Sequence, residues 1–317
     1  MTPVELRERV HARGLLGQGT ALVAMLSGGR DSVCLLDLAV AIRGPDRVRA
    51  LHVNYGLRGE ESRGDEELCL ELCERLGVQL ELVRAGSPPS AGNLQAWARE
   101  LRYGAAFALA ERLGPDGLVA SGHTASDQLE TILYRLAASP GRRALLGMAE
   151  REGRLVRPLL EVTREQTAAY CRARGLRWRE DSSNADERYA RARVRGTLVP
   201  ALTAIHPAAA ENVLRTAVRL REESELLQAL VEAELQGRPS IALARLAELH
   251  PALARLVVIA LAERAAGDYV PQAGARVAEL LALDARGGPA ELHVGGGVAA
   301  VLERGELRMV KLPPRPE

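Results

Sequence analysis

The chain has 317 residues, 47% of them hydrophobic, and a net charge of +1; this length suits two domains, and the net charge points to no particular partner. No apolar run approaches the roughly 18 residues of a membrane span, so a membrane partner is not expected, and the first residues mix arginines with glutamates unlike a secretory signal. The four cysteines form neither C-x-x-C nor a paired metal-ligand pattern, which favours reduced thiols in a cytoplasmic protein.

The first 160 residues alternate apolar runs with helical patterns. The apolar runs predict short buried strands at 21–26, 48–53, 78–83, 117–120 and 155–159. Apolar residues at helical spacing predict helices at 32–43, 60–76, 93–113 and 126–137. This alternation predicts an α/β fold, a parallel sheet with helices on both faces, whose ligands bind at the carboxyl ends of the strands.

The second half of the chain is predicted to be mainly helical. In chain order, the pattern predicts a helix at 163–174, a polar loop at 179–187, a helix from 189 to about 200, a long helix at 207–236, helices at 241–266 and 271–284, and short strands within 290–310. Gly237-Arg238-Pro239-Ser240 marks the best boundary. The predicted organisation is an α/β domain at 1–215, a linking long helix at 216–236 and a small α+β domain at 237–317.

One turn carries the clearest chemistry. The first strand runs directly into Ser27-Gly28-Gly29-Arg30-Asp31-Ser32 and then into a helix. Two glycines let the backbone approach a ligand closely, and the N–H groups of the helix start favour a phosphate with help from the serine hydroxyls. The alternative is a tight turn in which Asp31 or Ser32 is a helix N-cap.

The string S-G-G-x-D-S resembles the pyrophosphate loop of the N-type ATP pyrophosphatases, which split ATP into AMP and pyrophosphate while adenylating an oxygen of their substrate. Further segments, in matching order over about residues 20–230, resemble the tRNA(Ile)-lysidine synthetases. These segments are His52 to Arg58 (H-V-N-Y-G-L-R), Ala98 to Tyr103, Gly122 to Thr131, Arg157 to Leu160, Glu180 to Asn184 and Tyr189 to Arg195. The region 237–317 resembles the first carboxyl-terminal domain of that family by pattern only.

The resemblance implies a two-step reaction on an isoleucine tRNA with a CAU anticodon. ATP adenylates the C2 carbonyl oxygen of the wobble cytidine and releases pyrophosphate, and the ε-amine of free lysine then attacks C2 and expels AMP. Residues 1–215 would be the catalytic domain, 237–317 would bind tRNA, and Mg²⁺ would accompany ATP. Whether the enzyme forms a homodimer is left open.

Within this reaction, the loop Ser27 to Ser32 is expected to hold the pyrophosphate of ATP, with Arg30 adding positive charge. Asp31 is expected to be a Mg²⁺ ligand or an orienting carboxylate. His52, Arg99, Arg102 and His123 complete the expected ATP site. Arg99 and Arg102 would touch the α-phosphate or the cytidine; the alternatives are solvated helix arginines and, for His52, a hydrogen-bonded histidine at a strand end.

Asp127 and Glu130 lie three residues apart on one predicted helix face. They are expected to bind Mg²⁺, or to hold the incoming lysine and accept the proton that its ammonium must lose. The alternative is that both merely cap a helix, because acidic side chains stabilise a helix N-terminus. The catalytic candidates are therefore Asp31, Asp127 and Glu130, and Asp31 and Asp127 are the candidate Mg²⁺ ligands.

A cluster of arginines follows the polar loop. Its members are Arg188, Arg191, Arg193 and Arg195. They are expected to contact tRNA phosphates or to place positive charge on the adenylate, against the alternative of a plain solvated face. Alternate spacing does not put the last three on one side of a helix, so at least one of them is expected to be structural.

Three positions depart from the family pattern: Ser126 where an acid is common, Tyr55 where histidine is usual, and Ala192 in place of asparagine.

Two other functions stay open. A tRNA 2-thiolation enzyme of the same superfamily shares the phosphate loop, although the lack of C-x-x-C counts against it. A non-catalytic ATP-binding module would need neither the Asp127 and Glu130 pair nor the arginine cluster.

Overall fold

The computed structural model describes residues 1–17, 21–89, 93–139, 141–180, 190–286 and 288–313. The chain divides into two compact units, Met1–Val218 and Arg219–Glu317, with the division inside one long helix. The predicted organisation into 1–215, 216–236 and 237–317 stays a prediction. Among the described residues, no helix is both long and apolar enough to cross a bilayer.

A six-stranded sheet forms the centre of the first unit. Its strands are β1 (Leu22–Met25), β2 (Val48–Asn54), β3 (Gln79–Arg84), β4 (Leu118–Ala120), β5 (Arg151–Glu152) and β6 (Leu155–Val156). The order is β3-β2-β1-β4-β6-β5, and all neighbours are parallel except β5 and β6. The predicted α/β fold is confirmed. The predicted strand at 155–159 is shorter, because Pro158 cannot donate to a ladder.

Helices cover both faces of this sheet. They are α1 (Pro3–Ala12), α2 (Arg30–Arg43), α3 (Glu60–Leu76), α4 (Leu94–Leu113), α5 (Ala125–Ala138), α6 (Arg142–Leu145), α7 (Arg164–Ala173), α8 (Ala190–Arg193) and α9 (Val199–Ile205). Alternate residues of β1 enter different cores: Leu22 and Ala24 pack with α2, whereas Val23 and Met25 pack with α4. The apolar run of β1 therefore belongs to a strand buried on both faces.

The helical run after the polar loop extends further than predicted. A π-helical segment, Val194–Leu198, joins α8 to α9. The predicted end near Pro200 is wrong, because Pro200 lies in the first turn of α9, where its missing N–H costs nothing, and α9 continues to Ile205.

An ion pair between a buried aspartate and an exposed arginine, together with a tyrosine hydrogen bond, joins α2 to α7. Asp37 of α2 is 1% exposed, accepts a hydrogen bond of 2.6 Å from the Tyr170 hydroxyl, and pairs with the Arg174 guanidinium at 3.0 and 3.1 Å. The phosphate loop at the start of α2 is thereby fixed relative to the first turn of α7.

The second unit is a small α+β arrangement, as predicted. Its elements are the rest of α10 (Ala209–Leu235), β7 (Ser240–Ala242), α11 (Leu243–Glu248), α12 (Pro251–Ala266), a 3₁₀ helix (Pro271–Arg276), α13 (Val277–Leu281), β8 (Ala290–Gly295), β9 (Val298–Glu303) and β10 (Glu306–Lys311). The antiparallel sheet has the order β7-β10-β9-β8. The single helix predicted at 241–266 is wrong, because His250 caps a new helix that Pro251 begins.

The contact between α4 and β4 predicts a stability effect. A Cβ at Gly117 would overlap the carbonyl of Ala110, whereas a Cβ at Gly104, inside α4, would meet nothing. Gly117→Ala should lower the free energy of unfolding by about 1–3 kcal/mol through overpacking. Gly104→Ala is the control and should raise it by up to about 1 kcal/mol through helix propensity. Urea unfolding of the full chain measures both, and equal effects would contradict the packing of α4 on β4.

Candidate active site

The strand order reverses between β1 and β4, and the site lies at their carboxyl ends. Two loops meet there, one formed by Ser27 to Ser32 after β1 and the other by Ser121 to Thr124 after β4. A Cβ at Gly122 would lie 3.1 Å from the backbone of Asp31 and Ser32. Glycine at this position lets the two loops approach closely, at the place where open α/β sheets bind ligands.

The loop after β1 is held by its own serines. The Ser32 hydroxyl lies 2.8 Å from the Gly29 carbonyl and accepts from the Ser27 N–H at 3.1 Å, and the Ser27 and Ser32 hydroxyls are 3.1 Å apart. Gly28 has φ +81°, a conformation that favours glycine. Gly29, rather than Asp31 or Ser32, is the N-cap of α2, and it offers no side-chain acceptor to the first N–H groups. This geometry suits a phosphate.

Three acidic side chains gather around Arg164, which begins α7. Its guanidinium pairs with Asp127, lies 2.6 Å from Glu130 Oε1, and lies 3.9 Å from Asp31 Oδ2. Glu130 is nearly enclosed, with 4% of its side chain exposed. The structure therefore brings together the three predicted catalytic carboxylates.

Asp127 completes the capping box at the start of α5 and also belongs to the group of carboxylates around Arg164. Its Oδ2 accepts from the Thr124 N–H at 2.8 Å and from the Thr124 hydroxyl at 2.7 Å, while its Oδ1 faces Arg164. Burial opposes ionisation, but Arg164 and the two hydrogen bonds outweigh it and lower the pKa of Asp127. The capping alternative and the site assignment are compatible, because each uses one carboxylate oxygen.

Asp31 behaves differently. Its Oδ1 accepts from the Thr167 hydroxyl at 2.5 Å and lies 3.3 Å from Arg30 Nε. Burial nevertheless raises the pKa of Asp31, against the influence of Thr167 and Arg30. Asp31 is thus easier to protonate than an exposed aspartate.

Only one described arginine of the predicted cluster reaches the carboxylates. Arg195 donates two hydrogen bonds to Glu130, one of 2.7 Å from Nε to Oε1 and one of 3.0 Å from an Nη to Oε2. Arg191 and Arg193 are exposed on α8. Arg188 lies outside the described residues. Arg195 therefore lies beside the candidate carboxylates, and the expected roles of this cluster toward the adenylate and tRNA stay predictions.

His123 lies beside the carboxylates in the loop after β4. Its Nδ1 is 2.7 Å from the Ser121 hydroxyl. Burial lowers its pKa to about 4; Asp127 opposes the shift, and Arg157, Arg102 and Arg99 reinforce it. The imidazole is accordingly neutral near pH 7 and can exchange hydrogen bonds with a ligand without adding charge.

Arg99 and Arg102 lie on α4. Their guanidinium groups are 4.6 and 5.6 Å from the centroid of the Tyr103 ring, a cation–π arrangement. The Tyr55 hydroxyl donates to the Ala98 carbonyl at 2.9 Å. Both arginines are close enough to His123 for their charges to lower its pKa, and their roles toward ATP or cytidine stay predictions.

His52 is buried beneath the phosphate loop. Its Nδ1 lies 2.9 Å from the Leu26 carbonyl, and a Cβ at Gly28 would lie 3.6 Å from Cys69, whose sulfur is 3.4 Å from the same Nδ1. Its Nε2 is buried without a hydrogen-bond partner among the described residues. The contact of His52 with ATP stays a prediction.

The predicted Mg²⁺ ligands are carboxylates of the kind that Mg²⁺ prefers, and they lie next to a loop shaped for phosphate oxygens. Both are paired within the protein, Asp31 with Arg30 and Thr167, and Asp127 with Arg164. Within the described ranges, no group of three His, Cys, Asp or Glu side chains has a metal-holding arrangement. The donor type fits Mg²⁺ if phosphates supply the remaining oxygens.

Comparison with known proteins agrees with this geometry. Residues 6–202 match the PP-loop domain family. A tRNA(Ile)-lysidine synthase from Symbiobacterium thermophilum is 33% identical over 334 residues, covering 98% of this chain and 69% of that protein. The chain belongs to the tRNA(Ile)-lysidine synthase family.

The chain spans about half the length of the curated relatives it matches. A tRNA(Ile)-lysidine synthase from Pseudomonas syringae pv. tomato is 39% identical over 216 residues, which cover 66% of this chain and 47% of that protein. A solved U34-tRNA thiolase from Methanococcus maripaludis has a TM-score of 0.57 at 19% identity, covering 69% of this chain and 78% of that chain, which supports the fold alone.

Arg164 and Thr167 contact the candidate carboxylates, and no motif in the sequence indicates either residue. One signal was available: Arg164 occupies the first position of a helix, where the macrodipole disfavours a cation. Residues that contradict a local preference of this kind often belong to functional sites.

The lowered pKa of His123 predicts a pH dependence of stability. Because burial depresses the pKa from 6.5 to about 4, the unfolded chain takes up a proton first as the pH falls, and stability is lost between those values. The loss should reach up to about 3 kcal/mol, less where water reaches the half-buried ring. Denaturant unfolding at pH 7 and pH 4 should show a smaller loss in His123→Gln than in the wild type.

The exposed His206 provides the matched control. His206→Gln should retain the full pH dependence of the wild type. An unchanged pH dependence in His123→Gln would contradict the burial of a neutral imidazole at that position.

Proposed function

We propose that this chain is a tRNA(Ile)-lysidine synthase that ligates lysine to C2 of the wobble cytidine in the CAU anticodon of isoleucine tRNA. ATP is converted to AMP and pyrophosphate, in the cytoplasm. The observation that carries the proposal is a glycine-rich loop suited to phosphate next to a carboxylate pair, the half-buried Asp127 and the buried Glu130, in a chain of this family. The first feature suits adenylation and the second suits an ammonium substrate.

In the first step, the cytidine O2 attacks the α-phosphorus, an O–P bond forms, and the bond to pyrophosphate breaks. The loop Ser27 to Ser32 and the N-terminus of α2 would bind the departing pyrophosphate, with Arg30 adding positive charge. Arg99, Arg102, His52 and His123 would complete the ATP and cytidine site. Mg²⁺, on phosphate oxygens with Asp31 and Asp127 as candidate ligands, would neutralise the developing charge.

In the second step, the lysine ε-nitrogen attacks C2, the C2–O bond breaks, and AMP leaves with that oxygen. Asp127 and Glu130 already bind a guanidinium, which supports a role in binding the ammonium of lysine. The ammonium must lose a proton before attack, and the carboxylate pair would receive it. His123, neutral near pH 7, would line the pocket without repelling the substrate.

Arginines outside the carboxylate group would bind the RNA. Arg191 and Arg193 are exposed on α8, which supports contact with tRNA phosphates, and Arg188 precedes them in the sequence. The domain at 237–317 would contribute further tRNA contacts, and the catalytic domain would be 1–215.

The proposed reaction predicts a defined product. Purified protein with ATP, Mg²⁺, lysine and isoleucine tRNA bearing CAU should form AMP, pyrophosphate and a tRNA heavier by one lysine less one water. Mass spectrometry of the anticodon nucleoside measures this change, and a tRNA with a different anticodon is the control. Incorporation of sulfur would instead indicate a 2-thiolation enzyme, and ATP binding with an unchanged tRNA would indicate a non-catalytic module.

Mutations at the loop Ser27 to Ser32 and on α8 should affect different functions, pyrophosphate release and tRNA binding respectively. Asp31→Ala should abolish pyrophosphate release with little effect on tRNA affinity, because Asp31 lies at the phosphate loop. Arg193→Ala should weaken tRNA binding and reduce its salt slope by about one, while kcat at saturating tRNA persists. Arg172→Ala, at an exposed position on α7, is the control. Normal pyrophosphate release by Asp31→Ala would contradict the assignment.

A further inference from the structure

Arg164 touches all three carboxylates of the site, and it does so through single contacts. One guanidinium nitrogen faces Asp127, a second lies 2.6 Å from Glu130, and the third lies 3.9 Å from Asp31. Arg195, by contrast, holds Glu130 with a two-pronged hydrogen bond of 2.7 and 3.0 Å. Paired contacts of that kind are the stronger ones. Of the two guanidinium groups that hold Glu130, Arg164 makes one contact and Arg195 makes two, so Arg164 is the easier one to displace from Glu130.

The carboxylates keep other partners when Arg164 moves. Asp127 Oδ2 is held by the N–H and hydroxyl of Thr124, and Glu130 Oε2 is held by Arg195. The oxygens that face Arg164 are Asp127 Oδ1 and Glu130 Oε1. Removal of the Arg164 guanidinium would leave Asp127 Oδ1 without this partner and Glu130 Oε1 with only the Nε of Arg195, 2.7 Å away, while the other hydrogen bonds keep both carboxylates in place.

The charges of this group are balanced before lysine binds. The three acids, Asp31, Asp127 and Glu130, are matched by three guanidinium groups, from Arg30, Arg164 and Arg195. An ammonium entering this balanced and largely buried group would add an uncompensated charge, which is costly in a confined site. Either a guanidinium has to leave, or negative charge has to arrive.

Phosphates at the loop Ser27 to Ser32 would do both. They bring negative charge to the side of the group where Arg164 already faces Asp31, and guanidinium groups bind phosphate well. The first turn of α7 is fixed near this loop by the hydrogen bond from Thr167 to Asp31, so a change of rotamer would suffice to redirect the Arg164 side chain.

We infer that Arg164 is a positioning residue that occupies the ammonium site of lysine until nucleotide phosphates draw it toward the loop, and thereby couples lysine binding to nucleotide binding. This inference rests on the proposed function. Lysine would then bind tightly only beside a nucleotide, which orders the two steps of the reaction. Because coupling between two ligands is reciprocal, lysine would strengthen nucleotide binding by the same factor.

Lysine binding to the full chain, with and without α,β-methylene ATP and Mg²⁺, tests the inference. Isothermal titration of the wild type should show lysine affinity at least about tenfold higher with the analogue. Arg164→Gln removes the competing charge and should bind lysine with similar affinity in both conditions, more tightly than the nucleotide-free wild type. Arg164→Lys keeps a cation and should retain the dependence on nucleotide. Arg172→Gln, on the exposed face of the same helix, should match the wild type.

Several results would overturn the inference. Equal coupling in the wild type and Arg164→Gln would show that Arg164 does not mediate it, and weaker lysine binding by Arg164→Gln in both conditions would make Arg164 a scaffold for the pocket. If Arg164→Gln fails to fold, loss of coupling in the folded Arg164→Lys variant would also contradict the charge argument.

The wild type separates this inference from the proposed function. A wild type that forms lysidine but shows no coupling would refute the inference alone. A wild type that forms no lysidine and binds no lysine in either condition would refute the proposed function, and the inference with it.

Discussion

Three carboxylates confined beside a phosphate loop repel one another, and in this protein three guanidinium groups neutralise them. Asp31 forms an ion pair with Arg30, and Glu130 forms one with Arg195. The guanidinium of Arg164 lies within 4 Å of all three carboxylates. Apolar side chains that replace such a group often leave a protein equally or more stable, so stability alone does not account for it. Under the proposed function, its use is chemical: incoming phosphates and an ammonium would exchange partners among these carboxylates and arginines without rebuilding the site.

The topology places this group at the ends of two neighbouring strands, where the two proposed steps would share it. The loop that contains Asp31 follows β1, Asp127 and Glu130 lie on the helix that follows β4, and the reversal of strand order makes β1 and β4 neighbours. Gly122 lets the two loops approach, and the buried Asp37 joins α2 to α7 through Tyr170 and Arg174. Under the proposed function, a nucleotide at one strand end and an amine at the next would be adjacent, and the intermediate would stay in the site between the two steps.

The sequence predicted what depends on local pattern. Alternating apolar runs predicted the parallel sheet, and the position of the glycine-rich turn after β1 predicted a phosphate loop. Local pattern does not specify which distant residues meet. Glu130 is 34 residues from Arg164 and 65 from Arg195, and only the folded chain joins them. The two-residue strand β5 escaped prediction because it is too short to display a period, and β7 was absorbed into a helix pattern that Pro251 interrupts.

Asp127 shows why a structural and a functional interpretation of one residue need not compete. A helix cap uses one carboxylate oxygen, and Thr124 holds that oxygen with two hydrogen bonds. The other oxygen is left rigidly placed and ionised, since the same hydrogen bonds and the guanidinium of Arg164 lower the pKa of the group. A carboxylate fixed in this way loses little conformational entropy when a cation binds. The cap is therefore part of what makes Asp127 suitable for binding a charged substrate.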